Sequence, residues 1–228
     1  MTATSIDELT KALRNPVPRR DVSLEVAVTP LGSVKTAGSV LITAFARADA
    51  AVLADPHVDV AYRVIDAEGE TMADRATRYP LPARRLDSAG RVAVRFTDRV
   101  DLPKGRHEIR LAMQMPGGKT GSVVTYVDVP NFKDDRLALS GLSIEGAAGT
   151  GMPVFTGGGS EPSDPTVTTD RLFPSSATLR VRAGVYGTLD RADALAVTAL
   201  LRNDAGATVG ENVPVSIERV GEARTPSL

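Results

Sequence analysis

The chain has 228 residues, 42% hydrophobic and 24% charged, with 27 Lys and Arg against 28 Asp and Glu for a formal net charge of −1, and no cysteine. Such a composition belongs to an ordinary globular protein and excludes collagen-like, disulfide-stapled and strongly disordered classes, along with thiol nucleophiles and thiolate metal sites. The balanced charge gives no global attraction to nucleic acid or an anionic membrane, and with aromatics at 4% and no Trp, stacking platforms are scarce. Residues 1–8 carry neither a basic segment nor an apolar run, and no stretch reaches the ~18 apolar residues of a membrane span, so neither an export signal nor a membrane span is read here. Ser5-Ile6-Asp7-Glu8 has the form of a capping box, with Ile6, Leu9, Ala12 and Leu13 on one helical face and Asn15-Pro16 as the stop. The spacing predicts a short helical lead over residues 1–18, too short to stand without the domain that follows.

From Val22 the apolar period changes to two: Val22, Leu24, Val26 and Val28 alternate with Ser23, Glu25, Ala27 and Thr29. The same signal recurs over residues 40–46, at Val58/Val60/Tyr62/Val64, Val92/Val94/Phe96 and Ile109/Leu111/Met113, and over residues 123–129. Turn chemistry separates the runs at Asp66-Ala67-Glu68-Gly69, Ser88-Ala89-Gly90, Leu102-Pro103-Lys104-Gly105 and Pro116-Gly117-Gly118. Half-buried strands this dense predict an all-β fold: over residues 19–132, an antiparallel β-sandwich of the immunoglobulin or fibronectin III kind, with a small closed barrel as the alternative.

Residues 133–228 restart the pattern. A strand is expected over 137–144, a Gly/Ser/Pro-rich loop over 146–170 containing Gly157-Gly158-Gly159, and further strands at Leu179/Val181/Ala183/Val185, Leu195/Val197/Ala199/Leu201 and 213–220. Leu201-Arg202-Asn203-Asp204-Ala205-Gly206 echoes Val64-Ile65-Asp66-Ala67-Glu68-Gly69, so this half reads as a second, smaller or incomplete sandwich module. An incomplete sandwich leaves an open sheet edge. The expected fillers are the segment 151–156 folding back, a strand from a second chain, or a C-terminal continuation, with a small self-contained sheet preferred and self-association next.

Residue chemistry adds little. Gly117-Gly118-Lys119-Thr120 resembles the end of a phosphate-binding loop, but Met113 stands where the first glycine belongs and a strand follows in place of a helix, so it reads as a turn. His57 and His107 fall on different strands, and His107 shares parity with Ile109 and Leu111, as a core-edge histidine would. No nucleophile elbow or calcium-loop spacing occurs, and the acids Asp55/Asp59, Asp134/Asp135 and Asp164/Asp170 read as solvated loop residues. No catalytic, cofactor or metal residue is therefore assigned. One surface is a candidate for binding: Arg91 and Arg95 share one parity, Arg106 and Arg110 share one on the next strand, and a hairpin across residues 101–105 would bring all four to one sheet face. Such a stripe would suit an acidic protein or polysaccharide rather than nucleic acid, unless Glu108 and nearby acids neutralise it in cross-strand pairs.

Three stretches carry a family resemblance: residues 102–111 (Leu-Pro-Lys-Gly-Arg-His-Glu-Ile-Arg-Leu), 118–123 (Gly-Lys-Thr-Gly-Ser-Val) and 127–132 (Val-Asp-Val-Pro-Asn-Phe). With residues 136–142 and 171–186, they resemble the C-terminal region of bacterial VWFA-related proteins, a family large in Acidobacteria and their neighbours. There a von Willebrand factor type A domain precedes β-sandwich modules. The resemblance implies an extracytoplasmic setting and a non-catalytic role in binding or spacing, and because its motifs are turn and strand punctuation it transfers no metal or catalytic residue. The competing expectation is an accessory domain of an enzyme, or a hydrolase with an unrecognised site.

Overall fold

The computed structural model describes residues 3–33, 37–49, 57–81, 91–145, 154–157, 167–170, 173, 178–187, 196–209 and 215. Helix α1 (Ala3–Arg14) leads into seven strands of nine to twelve residues: β1 (Ser23–Leu31), β2 (Gly38–Asp49), β3 (His57–Ile65), β4 (Thr71–Pro80), β5 (Arg91–Leu102), β6 (Gly105–Gln114) and β7 (Thr120–Val129). Strands of two or three residues follow among the described residues: β8 (Ala138–Leu139), β9 (Ser143–Glu145), β10 (Val154–Thr156), β11 (Arg180–Arg182) and β12 (Val185–Tyr186). Two four-stranded sheets, ordered β1-β2-β5-β10 and β4-β3-β6-β7, pack face to face as an all-β sandwich.

Alternation explains the core. Val40, Ile42, Ala44 and Ala46 on β2 and Val92, Val94, Phe96, Val100 and Leu102 on β5 point one way, and join Val58, Val60, Tyr62 and Val64 on β3 and Ile109, Leu111 and Met113 on β6 in one buried cluster. Each large side chain so buried contributes ~1.5–3 kcal/mol against the ordering entropy of the chain. The inward rows of β5 and β6 lie on opposite sides of the core, so the link Leu102-Pro103-Lys104-Gly105 carries the chain from one sheet to the other, with Gly105 at φ 123°.

Strand β4 is an element the sequence pattern does not announce. Its ten residues, TMADRATRYP, are mostly exposed because it forms the edge of its sheet. Ala73 and Tyr79 pack against the core, so the period-two signal has few apolar positions to show itself in.

Helix α1 begins at Ala3, two residues ahead of the capping-box motif, so Ser5 lies inside the helix instead of opening it. Its apolar face does what the spacing demands: Leu9, Ala12 and Leu13 pack on Ala61 of β3 and Ala112 of β6, small residues on the outer side of their sheet. Asn15 ends the helix and accepts a 2.9 Å hydrogen bond from the amide of Val17, while Arg19 pairs with Glu8 at 3.1 Å and ties the helix to the chain that follows it.

The other sheet is also covered on its outer side. Thr29, Ser39, Leu41, Thr43, Phe45, Arg95 and Thr97, all of the parity that faces away from the sandwich core, are buried. The later segments touch this sheet where Gly141 donates its amide to Pro30 O at 3.0 Å and Thr169 donates to Glu25 at 3.3 Å, while Tyr186 packs against the core cluster, meeting Phe132 edge-on at 4.8 Å. The pairs β8–β12 and β9–β11 form two small antiparallel sheets in this region.

The chain divides into two compact units, Met1–Thr188 and Leu189–Leu228, a division placed after the small sheets instead of at residue 132. The expected strand over 137–144 is split into β8 and β9 around Gly141, where a Cβ would lie 2.8 Å from Pro30 Cδ. The run at 179–185 is split likewise, since Gly184 leaves no room for a Cβ beside Tyr186. The segment expected to fold back does form a strand, but β10 pairs in parallel with β5 and completes the first sandwich, not the second module. In the second unit, residues 196–201 lie outside any strand, and Arg202 and Thr208 form an isolated bridge around a turn. The turn at 88–90, Asp55, Asp164, Gly158, Gly159, Leu195 and the run at 213–220 other than Val215 lie outside the described residues.

Candidate functional site

The four arginines do not share a face. Arg91 and Arg95 belong to β5 in one sheet and Arg106 and Arg110 to β6 in the other, because the 101–105 link is a crossing between sheets and not a hairpin. Arg95 is 8% exposed. Burial pulls its pKa below the usual guanidinium value, with the charge of Asp170 opposing. Arg110 serves α1: its guanidinium pairs with Glu108 and donates to Leu13 O at 3.1 Å, where a helix leaves carbonyls unsatisfied. Arg106 lies over the ring of Tyr126, 5.0 Å from its centroid. Glu108 does neutralise Arg110, as weighed against a binding stripe, but the pair runs along β6 itself and not across strands.

A dense polar cluster lies between the sheets, built by residues that sequence reasoning did not single out. Asp98 occupies the same inward parity of β5 as Phe96 and Val100, and its side chain is fully buried. From the opposite sheet, Tyr62 of β3 donates its hydroxyl to Asp98 Oδ2 at 2.6 Å, and Arg75 of β4 donates to the same oxygen at 3.1 Å. Arg99 closes the set by donating its amide to Asp98 Oδ1 at 2.8 Å. A carboxylate so deep in an apolar layer must be paired and hydrogen-bonded, and this one is. The signal was present: Asp98 interrupts the inward row Val92, Val94, Phe96, Val100 and Leu102, a break in alternation that only a buried partner can accommodate.

The cluster holds its phenol neutral. Burial, then the hydrogen bond to Asp98 and the charge of Asp98, push Tyr62 above the ordinary phenol pKa, with Arg75 opposing. Burial raises Tyr79 as well, with a hydrogen bond from Thr77 opposing. Tyr79 sits on β4 beside this cluster, stacks on Phe155 at 4.8 Å and donates to Thr156 O at 3.0 Å. Chemically the arrangement is a cross-sheet fastener: one carboxylate ties β5 to β3 and β4, and its acceptor oxygens are taken by protein donors.

Other candidates resolve similarly. Asp59 is no solvated loop acid but a fully buried residue of β3, gripped by Arg78 at 2.8 and 2.9 Å in a two-toothed pair. Glu145, also buried, pairs with Arg182 and lies 3.7 Å from Arg180 across the β9–β11 sheet. Gly117-Gly118 forms the β6–β7 turn, with Met115 O accepting from Gly118 N at 3.1 Å and both glycines at positive φ of 84° and 80°. His107 is a buried core residue whose Nε2 meets Pro103 O at 2.9 Å. No helix among the described residues is long and apolar enough to cross a membrane.

No protein-family profile and no curated protein matches the chain. Among solved structures it is similar to the X-ray structure of Northeast Structural Genomics Consortium target SoR45, with 12% identity and a TM-score of 0.29 over 49% of this chain and 89% of that one.

Proposed function

We propose that this chain supplies non-catalytic, immunoglobulin-like interaction or spacer modules of an extracytoplasmic bacterial protein related to the VWFA-containing family. The strand partition supports the module type: β1, β2 and β5 against β4, β3, β6 and β7 corresponds to strands A, B and E against C′, C, F and G of such sandwiches. The observation that carries the non-catalytic reading is the use made of the buried carboxylates. Asp98 and Asp59 each face cationic or phenolic donors fixed on neighbouring or opposite strands, so their lone pairs serve the fold. The resemblance of residues 102–132 to the C-terminal region of VWFA-related proteins supports the setting. Dispersal of the four arginines removes the stripe that would have favoured an acidic partner.

A panel of ester, peptide, glycoside and nucleotide substrates tests the reading. No turnover is expected that an Asp98→Asn or Asp59→Asn change removes. Reproducible turnover abolished by either change, in a variant whose far-UV circular dichroism is unaltered, overturns it. Fractionation of the producing bacterium tests the setting, with recovery outside the cytoplasm expected and recovery confined to the cytosol overturning it.

A further inference from the structure

Among the described residues, strand β10 is the least anchored strand of the sandwich by backbone pairing. It meets β5 in parallel at Val154↔Arg95, Phe155↔Phe96 and Thr156↔Thr97, three positions, while β2 meets the other edge of β5 at twelve. Elements with so short a ladder open at low free energy. What holds β10 is a side-chain seat. Phe155 is buried in the core cluster, stacked on Tyr79 at 4.8 Å, and Tyr79 in turn lies 6.1 Å from Phe96. The hydroxyl of Tyr79 donates to Thr156 O at 3.0 Å, and Gly157 donates its amide to Thr97 O at 2.9 Å. A Cβ at Gly157 would lie 2.1 Å from Asp98 Oδ2, which Tyr62 and Arg75 keep in place.

The seat therefore makes three demands of a strand in sequence: an aromatic ring, a residue whose carbonyl accepts from Tyr79, and then a residue without a side chain. Of the 5 Phe and 4 Tyr in the chain, Phe155 alone is followed two positions on by glycine. We propose that this seat is an exchangeable strand site, filled in cis by Val154–Gly157 and in trans by the same segment of a second copy of this chain. The inference deepens the interaction-module reading and rests on it. Exchange adds no new type of contact. It moves an existing strand from its own seat to a neighbour's and joins two chains by main-chain pairing plus an aromatic anchor.

The experiment empties the seat and refills it. A labelled peptide with the sequence of residues 151–159 is titrated by fluorescence anisotropy into the full chain and into its Phe155→Ala variant. Binding to the variant is expected to be at least about tenfold tighter than to the unaltered chain, where the tethered strand competes at an effective concentration on the order of mM. Peptides carrying the Phe155→Ala or Gly157→Ala change are expected not to bind. Light scattering of the unaltered chain is expected to rise toward a dimer with concentration, while the variant stays monomeric. Equal peptide affinity for both chains, or none for a folded Phe155→Ala variant, overturns the site. Peptide binding with a strictly monomeric unaltered chain overturns the second copy as its occupant. Should the variant not fold, hydrogen exchange at Gly157 in the unaltered chain decides: a rate that changes with protein concentration supports exchange, and a constant rate refutes it. Each of these readouts is independent of turnover, so the strand site and the non-catalytic reading fail separately.

Discussion

Between β3 and β4, Asp66 N donates to Glu70 O at 3.0 Å, Gly69 N returns to Asp66 O at 3.2 Å, and Gly69 sits at φ 88°. In the second unit, Asn203 N donates to Ala207 O at 3.0 Å, Gly206 N returns to Asn203 O at 2.8 Å, and Gly206 sits at φ 79°. In backbone terms these are the same turn, and they have different consequences. The first joins strands paired at nine positions, and the second is flanked by the isolated bridge Arg202↔Thr208. β3 has β6 on its other edge and an opposing sheet over its inward row, so Val60, Tyr62 and Val64 are at most 2% exposed. Around the second turn Leu200, Leu201 and Val209 are 45–59% exposed. Turn chemistry is local and can be repeated by a few residues, whereas a ladder lasts only where a second layer buries one of its faces.

The largest expected effect contrasts two residues with the same alternating signal. Phe96, 2% exposed at the centre of the core, should cost about 3–5 kcal/mol as Phe96→Ala. Val181, in an equally regular alternating run but 53% exposed, should stay within about 0.5 kcal/mol as Val181→Ala. Urea unfolding measures both, and comparable losses would mean that the small β9–β11 sheet is as deeply integrated as the sandwich.

Alkaline pH sharpens the sandwich side of the contrast. Tyr62 and Tyr79 have folded-state pKa values raised above the ordinary phenol value. As pH passes about 10, the unfolded chain releases these protons while the folded chain retains them, so stability is intact below that point and falls above it, by up to about 1.4 kcal/mol per pH unit for Tyr62 and by less for the more exposed Tyr79. Comparing unfolding midpoints at about pH 9 and about pH 11 should show this fall, with a shallower one in Tyr62→Phe. Phenolate absorbance from Tyr62 well before unfolding would contradict a sealed cluster.

The same contrast explains what could be read from residue order. The rows at Val58–Val64, Val92–Phe96 and Ile109–Met113 were legible because each has a long ladder and a facing sheet, so alternation and burial coincide. Strand β4 was not, since an edge strand needs few apolar positions. The partnership of β5 with β6 misled because residues 102–105 look like a hairpin turn, and the alternation of the two strands is the same whether the link closes a hairpin or crosses between sheets. Asp98 escaped as a site residue because its donors come from residues 62 and 75, on the two strands that precede β5, and no local pattern encodes that meeting. Gly157 carries a further instance: its need to be glycine is set by Asp98, 59 positions earlier in the chain.

Positive φ offers a smaller and cleaner comparison. Gly69 and Gly206 both lie in the left-handed region, and a Cβ added to either meets nothing within 4 Å, so Gly→Ala at each isolates backbone strain from crowding. The strain is about 1–2 kcal/mol in both cases. Gly69→Ala should lower the stability of the sandwich by that amount, and with it the unfolding midpoint, because the turn is joined to its ladder. Gly206→Ala should instead accelerate hydrogen exchange at Ala207 and leave that midpoint in place. A shared shift of the midpoint would show that the second turn belongs to the same cooperative transition.

The side chains that open the two turns give the finest test. Asp66 Oδ1 accepts amides from Glu68 at 3.1 Å and Glu70 at 2.7 Å, whereas Asn203 Oδ1 accepts one, from Ala207 at 3.0 Å. Both replace water at exposed amides, so each bond is worth only a fraction of its gross strength, and the anion of Asp66 makes the stronger acceptor. Asp66→Ala should therefore cost about 1 kcal/mol in urea unfolding. Asn203→Ala should cost about 0.5 kcal/mol, visible as faster exchange at Ala207. Asp66→Asn separates charge from geometry: it keeps an acceptor in place and should recover more than half of the loss. If Asp66→Asn is as damaging as Asp66→Ala, the carboxylate charge organises the first turn, and the likeness between the two turns is confined to their backbones.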